Sequence, residues 1–245
     1  MQDNQSYLSH LSELKQRIFK ILIFFFIFFA ISYFLSSKIY YFLAIPYIDA
    51  IGGKAEFIYT NLTEVFFVKL ELAYKSSFLI TMPYIAFNIY KFLEPGLYKI
   101  EKKFLKYVLI AIPFLFLSGM FFVYFLVMPK AFAFFISFQE NSPEINLTLT
   151  AKINEYINLV TSLIVAFGIA FQLPIFILLL VSLNFLSSEN LQNGRRYAVV
   201  LIFIIAGVIT PPDVISQIFL AIALLILYEI TVYLSKKLET WRQRA

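Results

Sequence analysis

The chain has 245 residues, 61% of them hydrophobic, with a mean hydropathy of +0.82 and a formal net charge of +5. A water-soluble domain of this size cannot hide that much apolar surface, so the solvent for most of the chain is lipid. There is no cysteine and the only histidine is His10, which rules out disulfides and argues against a histidine metal site or catalytic dyad.

The first element is amphipathic. Tyr7, Leu11, Leu14 and Ile18 share one helical face, and Glu13, Gln16, Arg17 and Lys20 share the opposite one, which places the segment at a membrane interface. Glu13 stands four residues before Arg17, the favoured direction for a helix ion pair, so a structural reading competes with a functional one. Apolar runs then predict six transmembrane helices: Ile18–Leu35, Val65–Tyr90, Phe104–Met128, Ile153–Leu183, Tyr197–Thr210 and Val214–Tyr228. The run that begins at Ile18 is too long, and too poor in small residues at its end, for a cleaved signal peptide. Asn61 and Glu64 have the spacing of a capping box for the second span. Glu64, Glu71 and Lys75 fall on one face there, either lining water or forming an ordinary Glu71–Lys75 pair.

After the second span, Glu94-Pro95-Gly96 reads as a turn, with Pro95 pushing Glu94 out of helical geometry. Glu101 differs from Glu13, because its helical neighbours Leu97, Tyr98, Phe104 and Leu105 include no cation. It is either a solvated loop acid or a carboxylate awaiting a guanidinium, which supplies two parallel N–H donors. In the fourth span Gln172 is the most polar mid-membrane residue. Pro174 offers no N–H to the carbonyl of Ala170, so a kink is expected there. The site is either a polar notch for another helix or interhelical glue worth on the order of 1 kcal/mol. Thr210-Pro211-Pro212-Asp213 breaks the chain between the two last spans. At 14–15 residues and about 1.5 Å each, those spans are shorter than the ~30 Å hydrocarbon core.

Lysine and arginine crowd one side of these spans (Lys15, Arg17, Lys20; Lys91 to Lys106; Arg195, Arg196; Lys236 to Arg244), which predicts that both termini are cytoplasmic. The opposite loops, 36–64 and 129–152, are long enough to form a structured cap. The expected fold is therefore an all-α polytopic membrane protein with six spans, N-in and C-in, the last two short. It forms one membrane domain over 1–245, with an amphipathic cytoplasmic segment at 1–17, a six-helix bundle at 18–234 and a cytoplasmic tail at 235–245. No span carries an ionisable residue near its middle, and no internal repeat is visible, which disfavours a small-solute transporter. No HExxH or GxSxG motif supports an intramembrane enzyme.

Taken together, these residues resemble the TatC family, the polytopic receptor of the twin-arginine protein translocase. The resemblance runs from His10 to Glu229. It rests on His10-Leu11-x-Glu13-Leu14, on Phe92-Leu93-Glu94-Pro95-Gly96-Leu97-Tyr98 with Glu101, and on Gly119, Tyr124 and Pro129. It continues with Phe167-Gly168-x-x-Phe171-Gln172-Leu173-Pro174, Arg196-Tyr197, Thr210-Pro211-Pro212-Asp213 with Gln217, and Tyr228-Glu229. The resemblance implies a non-enzymatic receptor in the bacterial inner membrane that binds twin-arginine signal peptides of folded cargo. It implies single-span TatA- and TatB-type subunits as partners, several copies of this chain in the complex, transport driven by the proton-motive force, contact with membrane lipid, and neither cofactor, metal nor nucleic acid. It assigns signal-peptide binding to Glu13 and Glu101, with Glu94, Lys15 and Arg17 beside them. Partner-helix docking falls to Gln172, Pro174 and Tyr124, and structural roles to Pro95, Gly96, Pro211, Pro212 and Asp213. Two positions depart from the family pattern. Lys15 replaces the usual arginine and loses its bidentate geometry. Gln172 replaces a frequent glutamate, and as an amide cannot carry a charge.

Overall fold

The computed structural model describes residues 2–53, 56–94, 99–141, 146–147, 149–210 and 213–243; the side chains of 2–10, 93, 99–104, 140–147 and 241–243 lie outside the description. The described residues are mostly helical: α1 (Gln2–Phe34), α2 (Ser36–Ile51), α3 (Glu64–Leu93), α4 (Lys99–Phe122), α5 (Met128–Ile136), α6 (Ile153–Ala170), α7 (Leu173–Ser182), α8 (Ser188–Asn193), α9 (Arg195–Ile209) and α10 (Val214–Gln243). A π-helical turn at Val123–Val127 joins α4 to α5, closed by the Met128 N–H on the Val123 carbonyl. Two-residue strands complete the chain. Phe57–Ile58 pairs in parallel with Ala151–Lys152, and Glu140–Asn141 pairs antiparallel to Asn146–Leu147.

Among the described residues, four stretches are long and apolar enough to cross a membrane: Leu11–Phe34, Leu105–Ile136, Ile153–Ser182 and Val214–Thr240. The helix α3 has the length, 30 residues, but is studded with polar side chains; α9 is apolar but has only 15 residues. One expectation is corrected here. The last helix is not short: α10 has 30 residues and continues well past Tyr228. Glu229, which ended the apolar run in sequence, is exposed and paired with Arg195 at 2.8 Å. Further along, the Thr231 and Ser235 hydroxyls donate to the carbonyls of Leu227 and Val232 within the helix, at 2.6 and 2.8 Å. Polar residues satisfied in this way do not stop a helix. A second correction concerns α3, whose cap residue is Thr63 in place of Asn61. Thr63 already has helical dihedrals (φ −88°, ψ −9°), and its side chain makes no capping bond.

The chain divides into two compact units: residues 1–42 with 63–113, and residues 43–62 with 114–245. In the first, α1 packs along α3 through Phe24 stacked on Tyr84, ring centres 4.6 Å apart. The face of α1 turned inward carries Glu13, Arg17, Ile21, Phe24 and Phe28, whereas Leu11, Leu14 and Ile18 on the opposite face are exposed. The amphipathic segment and the first span form one unbroken helix of 33 residues. Along α3, Ser77, Thr81 and Asn88 are buried and bond to carbonyls of their own helix. Glu71 and Lys75 form the expected i,i+4 ion pair.

In the second unit the two cap loops meet as expected, although much of them is helical. Tyr47 of α2, Phe57 of the Phe57–Ile58 strand, Phe132 of α5 and Tyr156 of α6 form an aromatic cluster with ring centres 5.0–5.6 Å apart. The Tyr156 hydroxyl donates to the Leu43 carbonyl at 2.8 Å and the Tyr47 hydroxyl to that of Leu149 at 3.4 Å. Below it, α4 and α6 cross at two glycines. A Cβ on Gly119 would stand 2.6 Å from the Phe167 carbonyl oxygen, and one on Gly168 would stand 2.5 Å from the Phe116 ring. The short helix α8 is tied to α10 by Glu239, which accepts the Ser188 backbone N–H at 2.8 Å and also its hydroxyl.

Candidate functional site

The first unit assembles most of the charged site. Seven residues before Phe24 on α1 stands Arg17, and seven residues after Tyr84 on α3 stands Lys91. Because the helices run antiparallel, both lie about 10 Å from the Phe24–Tyr84 stack towards the same end. At that end Arg17 donates through Nε and Nη2 to one oxygen of Glu13, Oε1, at 3.0 and 2.5 Å. Oε2 of Glu13 is left without a partner among the described residues. The Glu13 side chain is 35% exposed and Arg17 23%, so the pair is a surface one and weak.

Glu94 keeps helical dihedrals (φ −49°, ψ −42°), so Pro95 does not push it out of helical geometry as the sequence suggested; one of its oxygens accepts from Lys91 Nζ at 2.9 Å and the other from the Tyr90 hydroxyl at 3.5 Å. Glu94 raises the pKa of Lys91 above its ordinary 10.5, first through this hydrogen bond and then through its charge, against a smaller opposing push from Arg17. Tyr90 and Lys91 were not singled out in the sequence, although Lys91 stands at the i,i+3 spacing that would have marked it. Lys15 is exposed and lines a shallow groove with Ser12, Gln16, Ile18, Phe19 and Leu22. Glu101 sits in the first turn of α4, and its side chain lies outside the description, as do Pro95 and Gly96.

The second unit holds the other group. The helix breaks at Phe171–Gln172, where the sequence placed a kink, and Pro174 is buried in the first turn of α7. The Gln172 backbone N–H turns to the Ile169 carbonyl at 2.9 Å, and its side-chain amide donates to the Gly168 carbonyl at 3.4 Å. Tyr124 is separate from this break in the chain. It is buried in the π-helical turn and faces a cavity of about 290 Å³ shared with Asp49, a residue that no sequence pattern pointed to. Asp213 starts α10: its Oδ1 accepts the Ser216 N–H at 2.6 Å and its carbonyl that of Gln217 at 3.3 Å. Pro211 and Pro212 lie outside the described residues. Among the described residues no three His, Cys, Asp or Glu side chains gather as a metal site would require.

Comparison with known proteins identifies the family of the chain. The family model for Sec-independent protein translocase protein (TatC) matches residues 9–222. The chain is 46% identical over 238 residues to the Sec-independent protein translocase protein TatC of Rickettsia prowazekii, covering 97% of this chain and 95% of that protein. It is 32% identical to the TatC of Escherichia coli K12, covering 96% and 90%. A solved structure titled as the twin arginine translocase receptor TatC superposes with a TM-score of 0.73 at 33% identity, covering 93% of this chain and 98% of that one. A second, in DDM, gives 0.75 over 92% and 99%. A match across almost the whole chain in sequence, family pattern and three-dimensional form leaves one assignment: the chain belongs to the TatC family of Sec-independent protein translocases, multi-pass membrane proteins of protein transport.

Proposed function

We propose that this chain is the receptor and core component of a twin-arginine translocation system, binding the paired arginines of signal peptides on folded cargo. The observation that carries the proposal is the one-sided pairing of Glu13. Arg17 donates both its bonds to Oε1, and the lone pairs of Oε2 face no described donor. A guanidinium arriving there forms a charge-assisted bond without first displacing Arg17. Glu94, held by Lys91 and Tyr90 near the same end of the α1–α3 pair, adds a second carboxylate. Glu101, two residues into α4, is the proposed third, and Glu13 with Glu101 forms the clamp. Lys15 and Arg17 keep the rim of the site positive and orient the carboxylates.

The chain then acts as one membrane domain of six spans with both termini in the cytoplasm, in the bacterial inner membrane. Several copies assemble with single-span TatA- and TatB-type subunits, which dock near Gln172, Pro174 and Tyr124, and the proton-motive force drives passage of folded cargo. Photocrosslinking of a twin-arginine and a twin-lysine signal peptide to the wild type, Glu13→Ala and Glu101→Ala tests the reading. Arginine-dependent crosslinking that disappears in both variants supports it. Undiminished, arginine-dependent crosslinking in either variant rules the clamp out.

A further inference from the structure

The cavity beside the π-helical turn is a site of its own, within the second unit. It is lined by Ile45, Pro46, Asp49, Ala50, Tyr124, Phe125, Pro129 and Ala133, and encloses about 290 Å³. Its walls are apolar except at two points, the Asp49 carboxylate and the Tyr124 phenol. The π-helical turn explains how one stretch of helix buries Tyr124 while its neighbour Phe125 stays 65% exposed, the two rings meeting edge to face at 4.9 Å.

Phe125 is the top of a strip. Phe114, Leu117, Phe121 and Phe125 recur at helical spacing on one face and are 69%, 48%, 59% and 65% exposed. Phe121 and Phe125 stack with ring centres 5.9 Å apart at 12°. From Phe114 to Phe125 the strip measures about 16 Å at about 1.5 Å per residue, close to half of the ~30 Å hydrocarbon core. It has the length of one leaflet's acyl chains and ends at a pocket whose lining includes the exposed side chain of Asp49.

We propose that this cavity holds the headgroup of a zwitterionic, ammonium-bearing glycerophospholipid, with Asp49 on the ammonium and an acyl chain along the Phe114–Phe125 strip. Charge complementarity selects the ligand. An exposed carboxylate at the mouth of a mostly apolar pocket attracts an ammonium and repels the headgroup of a purely anionic lipid.

The test reconstitutes the full chain in vesicles with either photoactivatable phosphatidylethanolamine or photoactivatable phosphatidylglycerol, the label on the acyl chain. Phosphatidylethanolamine should label the Phe114–Ala133 segment preferentially. Asp49→Asn should lower that labelling about tenfold, the loss expected for one charge-assisted bond, and leave phosphatidylglycerol labelling unchanged. Asp49→Lys should invert the preference. Equal labelling by both lipids in the wild type, an Asp49→Lys protein with the wild-type preference, or a strip shielded from both lipids by a co-purifying protein overturns the proposal. The result is independent of signal-peptide binding, because Asp49 and the strip belong to the other unit.

Discussion

Arg17 directs both of its donating nitrogens to the same oxygen of Glu13, leaving the other oxygen of that carboxylate facing away from its intrahelical partner. Stability and binding therefore separate at this residue. Glu13→Ala should cost the fold about 1 kcal/mol or less, the range of a half-exposed helix pair. It should weaken signal-peptide binding by roughly 2–5 kcal/mol, the cost of removing one partner of a desolvated charge pair. Thermal unfolding and peptide titration on the same preparation check the split. Equal losses in both measurements would reduce Glu13 to a structural residue.

Gln172→Leu should leave the protein folded and inserted, with a stability change of about 1 kcal/mol or less, because its amide reaches the Gly168 carbonyl only at 3.4 Å. Under the docking proposal it should lose co-purification of the single-span subunits. Wild-type recovery of those subunits would release Gln172 from that role.

The two glycines of the α4–α6 crossing should respond differently to a methyl group. Gly119→Ala meets a backbone oxygen at 2.6 Å, which no rotamer change relieves, and should destabilise by about 1–3 kcal/mol. Gly168→Ala meets the Phe116 ring, so a Phe116→Leu replacement should recover part of the loss. Unfolding of the single and double variants in detergent distinguishes the cases.

Burial pushes the Tyr47 phenol above its ordinary value near 10, against a smaller pull from a hydrogen bond with the Ala151 backbone. The folded cap binds this proton more tightly than the unfolded chain does. The stabilisation is complete below pH 10 and is lost as pH climbs through the raised folded value. Tyr47→Phe should remove that alkaline loss and cost little at pH 7, since the hydroxyl bond is 3.4 Å long. Melting temperatures at pH 7 and pH 11 for both proteins check the sign.

The sequence announces what depends on bulk apolarity and single-residue geometry. The break at Phe171–Gln172 follows from Pro174, and the Glu13–Arg17 pair follows from spacing. It hides what depends on partners far away in the chain. Residues 36–51 and 129–136 read as loops because they fall between the apolar runs, yet both are helical and packed through Tyr47 and Phe132 on an aromatic cluster. The helix α10 outruns its apolar stretch because Glu229 finds Arg195, a partner 34 residues earlier. At the charged site, Glu94 stands out in sequence but its holders Tyr90 and Lys91 do not, since an aromatic and a lysine at a helix end are common. Asp49 lies 75 positions from Tyr124 in the chain, and no local pattern links them.

The unbroken course of α1 has a mechanical corollary. Thirty-three residues at about 1.5 Å each make a rod about 50 Å long, with Glu13 and Arg17 in its first half and Phe24 seated on Tyr84 beyond its midpoint. Such a rod has no joint at which a disturbance could be absorbed. A tug on its charged half pivots about the aromatic seat and reappears, reversed in direction, at the far end.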